Sequence, residues 1–383
     1  MLSNGIDKRI GFVVENNWLN VHYGVRNYFC SIYKILERNG YDVDFISFRQ
    51  HACKTLWYRV VVDDKDLRSC VKKTTKGEVI DYNFLANKET TSIMSSVQYI
   101  GEDVNGLYDV FLFTNPWLLC TPNNIDSTKR TLLICYDVVA NELTLTKDIN
   151  IKEWGASHDF GYQHALKIGS SFLSISKKVF NDIDNIYTPK SHLVLPPVLP
   201  YAFFDVSYDG EIKENAVILA APFDLRKGLK CLPGILNNVV GMDTLYIFGT
   251  PRCGQELFDE FFKKLTFKNI QYFDKISSND LIFLYKKSKV LFFPSLEEGL
   301  GLPILEAQVC GCRVVTRNLP PMNQLLEEGS YVMANDNSSV SEQISAMIQD
   351  KDFNYKRLSD KAKAKFSVQN VFNVIEQLFQ VKI

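Results

Sequence analysis

The feature that most constrains this chain is a rhythm of short apolar runs and amphipathic stretches, which starts afresh just past the middle. Arg9 to Val14 reads as a buried strand. Val25 to Arg38 then places Tyr28, Phe29, Ile32, Ile35 and Leu36 at helical spacing, Asn39-Gly40 ends the helix, and Val43 to Phe48 is the next strand. Strand, helix, strand in this order is the signature of a parallel sheet. Further strands are expected at Tyr108 to Phe113, Thr131 to Tyr136, Ser171 to Ile175 and His192 to Leu195, with Ser176 capping a helix. His164 to Lys167 leads into the third of these. Pro196-Pro197 and Pro200 mark an exit, and the polar stretch Asp205 to Asn215 reads as a linker. The second half repeats the pattern, with strands at Ala216 to Ala221, Thr244 to Phe248, Ile270 to Phe273, Val290 to Phe293 and Arg313 to Val315. Helices are expected at Leu229 to Asn237, Glu256 to Leu265, Asn279 to Lys287 (capped by Ser278) and Pro303 to Val309, and three more finish the chain. The expected class is α/β: two Rossmann-like, doubly wound domains, 1–205 and 206–365, facing each other across a cleft, then a last segment, 366–383. Ligands of such sheets sit at the carboxyl ends of the strands.

Several function classes are disfavoured. The net charge of −1 gives no bulk attraction to nucleic acid, and none is expected as a partner. Nine cysteines form no CxxC pair, and five histidines do not join them at zinc spacing, so free thiols in a reducing cytoplasm and no metal are expected. There is no apolar run of about 18 residues and no signal-peptide pattern, so no membrane span is expected. Walker A, HExxH and GxSxG patterns are absent. Asp42-Val43-Asp44 and Asp182-Ile183-Asp184 are read as solvated positions. Residues 51–80 hold seven Lys/Arg against four Asp/Glu. They suit a surface insertion, an acceptor- or membrane-facing element, or a solvated loop with an edge strand.

The chemistry concentrates between Phe292 and Ala307. An apolar strand ends at Phe293, a loop with Gly299 and Gly301 follows, and Pro303 sits at the start of a helix, where its missing N–H needs no partner. Amides near Leu302 and Ile304 would then lie free at the positive end of that helix, a site for phosphate or sugar hydroxyls. Glu306 lies one turn in, and helical side chains tilt back toward the N-terminus. Its carboxylate can hold vicinal hydroxyls. Glu298 stands eight positions earlier in the loop. A capping carboxylate and a solvated glutamate are the bland readings of the same two residues.

Pro294-Ser295 through Glu298-Gly299-Leu300-Gly301-Leu302-Pro303 to Glu306-Ala307 resembles the E-x7-E signature of the family 4 retaining glycosyltransferases, which have the GT-B fold. Arg226-Lys227-Gly228, Ile247-Phe248-Gly249 and Ser278 to Tyr285 resemble that family's further motifs. Across residues 11–205 the likeness is fainter, at Gly24-Val25-Arg26, Ser174-Ile175-Ser176 and Val194 to Pro197. The resemblance implies an acceptor-binding first domain, a nucleotide-sugar-binding second domain and a last helix crossing back to the first. It implies that Glu306 binds the donor ribose, that Glu298 contacts the donor sugar near its anomeric carbon, and that the amides of Leu300, Gly301 and Leu302 bind sugar or diphosphate. Lys227 would neutralise the diphosphate, and Gly24 would let a loop close over it. Two departures stand out. Pro222 and Ala221 occupy the positions of the family's diphosphate-clamping arginine, for which Arg226 or Arg252 would substitute. Tyr136-Asp137 replaces its His-Asp pair, leaving Tyr136, Asp137 and His22 as acceptor-side candidates. The implied activity is metal-independent, retaining transfer of a hexose or deoxyhexose to a glycan or lipid-linked saccharide, with no cofactor. Its setting would be polysaccharide assembly in the cytoplasm or at the cytoplasmic face of a membrane. A non-catalytic nucleotide-sugar-binding relative and a sugar-nucleotide hydrolase or epimerase are the alternatives.

Overall fold

The computed structural model describes residues 9–15, 23–60, 73–75, 78–80, 97–138, 149–223, 225–266 and 269–380. In chain order the first half carries β1 (Arg9–Val13), α1 (Tyr23–Arg38), β2 (Asp42–His51), β3 (Lys54–Val60), β4 (Lys73–Thr75), β5 (Glu78–Ile80), β6 (Val97–Gly101), β7 (Val110–Phe113), β8 (Arg130–Cys135), α2 (Ile149–Lys167), β9 (Ser171–Ser174), α3 (Lys177–Tyr187) and β10 (His192–Val194). The second half carries β11 (Glu214–Ala220), α4 (Leu232–Leu236), β12 (Thr244–Phe248), α5 (Gln255–Lys264), β13 (Ile270–Phe273), α6 (Ser278–Lys287), β14 (Ser288–Phe293), α7 (Leu302–Val309), β15 (Arg313–Thr316), β16 (Tyr331–Val332), α8 (Asn337–Gln349), α9 (Tyr355–Lys365) and α10 (Val368–Gln380). The chain divides into two compact units, each built on one eight-stranded sheet.

The first sheet runs β10-β9-β8-β7-β1-β2-β3-β6. Its first six strands are parallel, and in the five inside the edge strand β10 the apolar residues are buried on both faces, as helices on either side require; Leu193 of β10 is exposed. β2 continues past the expected end at Phe48 and turns at Ala52-Cys53. Both residues have positive φ (46° and 67°), the backbone of a tight hairpin whose twist matches its strands. β3 returns antiparallel, and β6 adds beside it. Trp57, within the segment read as a surface insertion, a facing element or a solvated loop with an edge strand, lies on the strand β3 and is fully buried. It packs on Phe48 and Phe111, and its indole N–H donates to Asn124 Oδ1 at 2.8 Å. Ser176 caps α3 as expected, accepting from the Val179 N–H. α10 completes this unit, with Val371, Phe372 and Ile375 buried and the Phe372 ring against Tyr41.

The second sheet runs β16-β15-β14-β11-β12-β13-β4-β5. Strands β11 to β16 are parallel. β4 and β5 form an antiparallel hairpin that pairs on β13, with Thr75 opposite Gln271. These strands thus lie in the second sheet, although the sequence reading placed all of 1–205 in the first domain. The core centres on Val217, Leu219, Ile247, Val290 and Phe292, covered by Ile235, Leu236, Ile344 and Ile348. The helix expected at 229–237 is a 3-10 turn followed by the short α4. Ser277, not Ser278, caps α6, accepting from the Asp280 N–H at 3.1 Å.

Both sheets reverse direction at one place. In the first, β2 lies on one side of β1 and β7 on the other; in the second, β12 and β14 flank β11 in the same way. The crevice outside the carboxyl ends of the two strands at such a switch point is where open α/β sheets take ligands.

Candidate functional site

At the switch point of the second sheet, β11 and β14 run in register, with Leu219 opposite Phe292, and deliver two loops side by side. The loop after β11 makes a 3-10 turn at Leu225–Lys227 and then Gly228, whose φ is +76°. A Cβ at Gly228 would stand 2.7 Å from the Pro294 carbonyl oxygen, so only glycine lets this turn lie against the loop after β14. The loops are also bonded directly, since Leu296 N–H donates to the Arg226 carbonyl at 2.6 Å. Lys227 and Glu298, one from each loop, form an ion pair. Their side chains are 20% and 14% exposed, and the Lys227 ammonium stands 5.2 Å from the Phe293 ring centre.

Gly301, at φ +97°, turns the chain into α7, and Pro303 occupies the first turn. The Ile304 N–H, expected to be free, donates to the Gly301 carbonyl at 2.9 Å. The N–H groups of Leu300, Gly301 and Leu302 have no acceptor among the described residues. The open amides are therefore displaced one step toward the loop. Glu306 is 3% exposed and takes one hydrogen bond, from the Tyr285 hydroxyl of α6 at 3.2 Å. Burial pushes its carboxyl up to about 7, against a smaller downward pull from that hydroxyl. Gln308 anchors α7 from behind, donating to the Leu325 carbonyl and accepting from the Glu327 N–H.

The motif residues Lys227, Glu298, Leu300, Gly301, Leu302 and Glu306 thus converge on the ends of β11 and β14 and the start of α7. Arg226 contributes its carbonyl to the loop junction. Arg252 is exposed, and its main-chain N–H binds the Phe223 carbonyl. A cation that sequence reasoning missed, Arg317 at the end of β15, donates from Nε to the Pro294 carbonyl at 2.9 Å and braces the same loop. Tyr285 was matched only as part of a motif; its bond to Glu306 gives it a role. Position 221, a departure from the family pattern, lies in a tight crossing. Ala221 has φ +45°, and a Cβ on Gly249 would fall 2.7 Å from its Cα.

The acceptor-side candidates lie in the first unit. Tyr136 follows β8, is buried, and its hydroxyl has no partner. It packs edge-on against Tyr28, and burial holds the phenol well above its usual range, so it cannot act as a base. Asp137 accepts from the Tyr162 hydroxyl through its carbonyl. Gly24, expected in a closing loop, sits in the first turn of α1. His22 and Asp224 lie outside the described residues.

Comparison with known proteins bears on the fold. WaaG, a glycosyltransferase involved in lipopolysaccharide biosynthesis, is similar with a TM-score of 0.61 and 14% identity, over 96% of this chain and 98% of that one. Alr3699/HepE of Anabaena, solved in complex with UDP and glucose, is similar with a TM-score of 0.64 and 12% identity, over 98% and 100%. The fold is therefore GT-B, two Rossmann-like units with parallel central strands. By sequence, O-antigen chain mannosyltransferase B of Escherichia coli is 35% identical over 82 residues, 21% of this chain and 22% of that protein. O-antigen chain mannosyltransferase RfbU of Salmonella typhimurium is 32% identical over 71 residues, 18% and 20% of the two chains. These matches span about a fifth of each relative's length. Within the second unit, residues 244–365 match the family described as glycosyl transferases group 1.

Proposed function

We propose that this protein transfers a hexose, mannose being the first to test, from a nucleoside-diphosphate sugar to a saccharide or lipid-linked saccharide. The observation that carries the reading is the convergence of Lys227, Glu298, buried Glu306 and three open amides on one switch point. Free amides and a lysine suit a diphosphate. A buried carboxylate one helical turn away suits the ribose hydroxyls. A diphosphate seated on the amides competes with Glu298 for Lys227 and frees that carboxylate for the hydroxyls of the sugar.

In the reaction the bond between the anomeric carbon and the diphosphate oxygen breaks, and a bond from that carbon to the acceptor oxygen forms on the same face. The departing phosphate oxygen takes the acceptor's proton, so the configuration is retained without a protein base. Lys227 and the amides stabilise the charge that develops on the leaving group. This assigns to the protein the neutralisation that a metal supplies elsewhere, and transfer should proceed undiminished in EDTA. With mannosyltransferases of O-antigen chains among the relatives, work at the cytoplasmic face of a membrane, held peripherally, is the proposed setting. Among the described residues no helix is long and apolar enough to cross one.

The test is a thermal-shift panel of GDP-, UDP- and dTDP-sugars on wild type and Glu306→Ala. A ligand at about 100 times its Kd adds roughly 2.7 kcal/mol, a shift of about 5–11 °C for units of this size. One nucleotide class should shift wild type and fail to shift the variant. A folded wild type unmoved by every nucleotide sugar would sink the reading.

A further inference from the structure

The first unit has a switch point of its own, and a second constellation stands there. β1 and β7 are paired with Val13 opposite Phe113, and Thr114 binds the Val13 carbonyl through both its N–H and its hydroxyl. Two residues beyond that pair, Glu15 leaves one strand and Asn115 leaves the other. Asn115 begins the 3-10 turn Pro116–Cys120, which carries Trp117 back over the strand ends, and the Trp117 indole N–H donates to Glu15 Oε1. His158 of α2 lies beside the indole, ring centres 5.9 Å apart. Burial pushes this imidazole down to about 4, so it is a neutral ring.

What is left unmatched here has one polarity. Glu15 Oε2 has no partner among the described residues, and the fully buried Asn115 Oδ1 has none either. Both are acceptors, and a buried polar atom left unpaired is a penalty that a ligand can remove. Asn115 does not spend its side chain on capping the turn that it starts. A partly exposed indole beside two open acceptors suits a ligand that offers an apolar C–H face and several hydroxyl donors.

We infer that the crevice at the ends of β1 and β7 is a saccharide subsite, with Trp117 as the platform and Glu15 and Asn115 as acceptors for sugar hydroxyls. The inference rests on the glycosyltransferase reading, for which it supplies the acceptor's seat. It also explains why the buried Tyr136 is not needed there.

The experiment measures saturation-transfer NMR of methyl α-mannoside, α-linked mannobiose, methyl α-glucoside and N-acetylglucosamine on the full chain. Wild type is compared with Trp117→Ala, Trp117→Phe and Glu15→Gln, and the nucleotide-sugar thermal shift is run on each. At least one saccharide should bind saturably to wild type. Trp117→Ala should weaken it tenfold or more, Glu15→Gln several-fold, and Trp117→Phe least, with the nucleotide-sugar shift unchanged in all. Should Trp117→Ala fail to fold, the other two variants decide. Undiminished saccharide binding in the variants overturns the subsite. So does a wild type that binds nucleotide sugar but no saccharide, which leaves the donor reading standing. A folded wild type that binds neither removes both.

Discussion

The two switch points make an instructive pair. Each lies between the two central parallel strands of its sheet, and each receives one functional side chain from either strand. At the second, Lys227 meets Glu298 beside three open amides, so the unmatched groups are donors that suit an anion. At the first, Glu15 meets Trp117 beside Asn115, and the unmatched groups are acceptors that suit hydroxyls. One backbone geometry thus serves opposite polarities, and the chemistry is set by the few residues after each strand.

The largest break in the comparison should come from the cation. Lys227→Ala should lower kcat about 10²- to 10³-fold, as loss of a transition-state charge partner does, while acceptor KM stays put. A loss under fivefold would mean that Lys227 does not serve the leaving group. Next comes the scaffold of the first site. A Cβ at Gly161 of α2 would stand 2.1 Å from the Pro116 carbonyl oxygen, under the turn that bears Trp117. Gly161→Ala should destabilise the first unit by about 2–3 kcal/mol, whereas Gly106→Ala, which meets nothing within 4 Å, should cost less than about 0.5 kcal/mol. Equal denaturation midpoints would place α2 elsewhere. Third is proton sensitivity, which belongs to the second site. With the Glu306 carboxyl at about 7, donor affinity should be about tenfold weaker at pH 6 than at pH 8. Tyr285→Phe removes a hydrogen bond that favours the ionised form, so its midpoint should move to higher pH. A flat titration in both proteins contradicts the assignment of Glu306. The smallest effect concerns α6. Ser277→Ala should cost about 1 kcal/mol in chemical denaturation and Ser278→Ala within about 0.5, and the reverse order would restore the cap expected from sequence.

The two sites were not equally legible in the sequence. The second lies in a contiguous motif with paired glycines and a proline at a helix start, and its strands Thr244–Phe248 and Ile270–Phe273 match expectation to the residue. The first depends on Glu15 and Trp117, 102 positions apart, which only the register of β1 on β7 brings together. α2 was also hidden, its end at 164–167 being read only as the lead into a strand. The residues it turns inward at 155, 158, 161, 162 and 165 are Gly, His, Gly, Tyr and Ala, while Phe160 points out, so apolar periodicity is lost where close packing demands small residues. β3 falls where an edge strand was one of the readings of 51–80, but its bounds were hidden, because the hairpin that joins it to β2 turns at Ala52-Cys53 and carries no glycine signal; β6, which pairs antiparallel on its far side, was not anticipated.

The burial of Glu306 has a further consequence. An acid whose carboxyl sits at about 7 in the folded chain, above its ordinary 4.5, favours folding while it is protonated. That contribution is whole below pH 4.5 and is lost as the pH rises through 7, so near neutrality the empty site is part acid and part anion. A donor that requires the anion must then expel a proton as it enters. Calorimetry at pH 6.5 should show a binding heat that changes with the ionisation enthalpy of the buffer, and one at pH 8.5 should not. The donor and a single proton would thus be rival occupants of the same carboxylate.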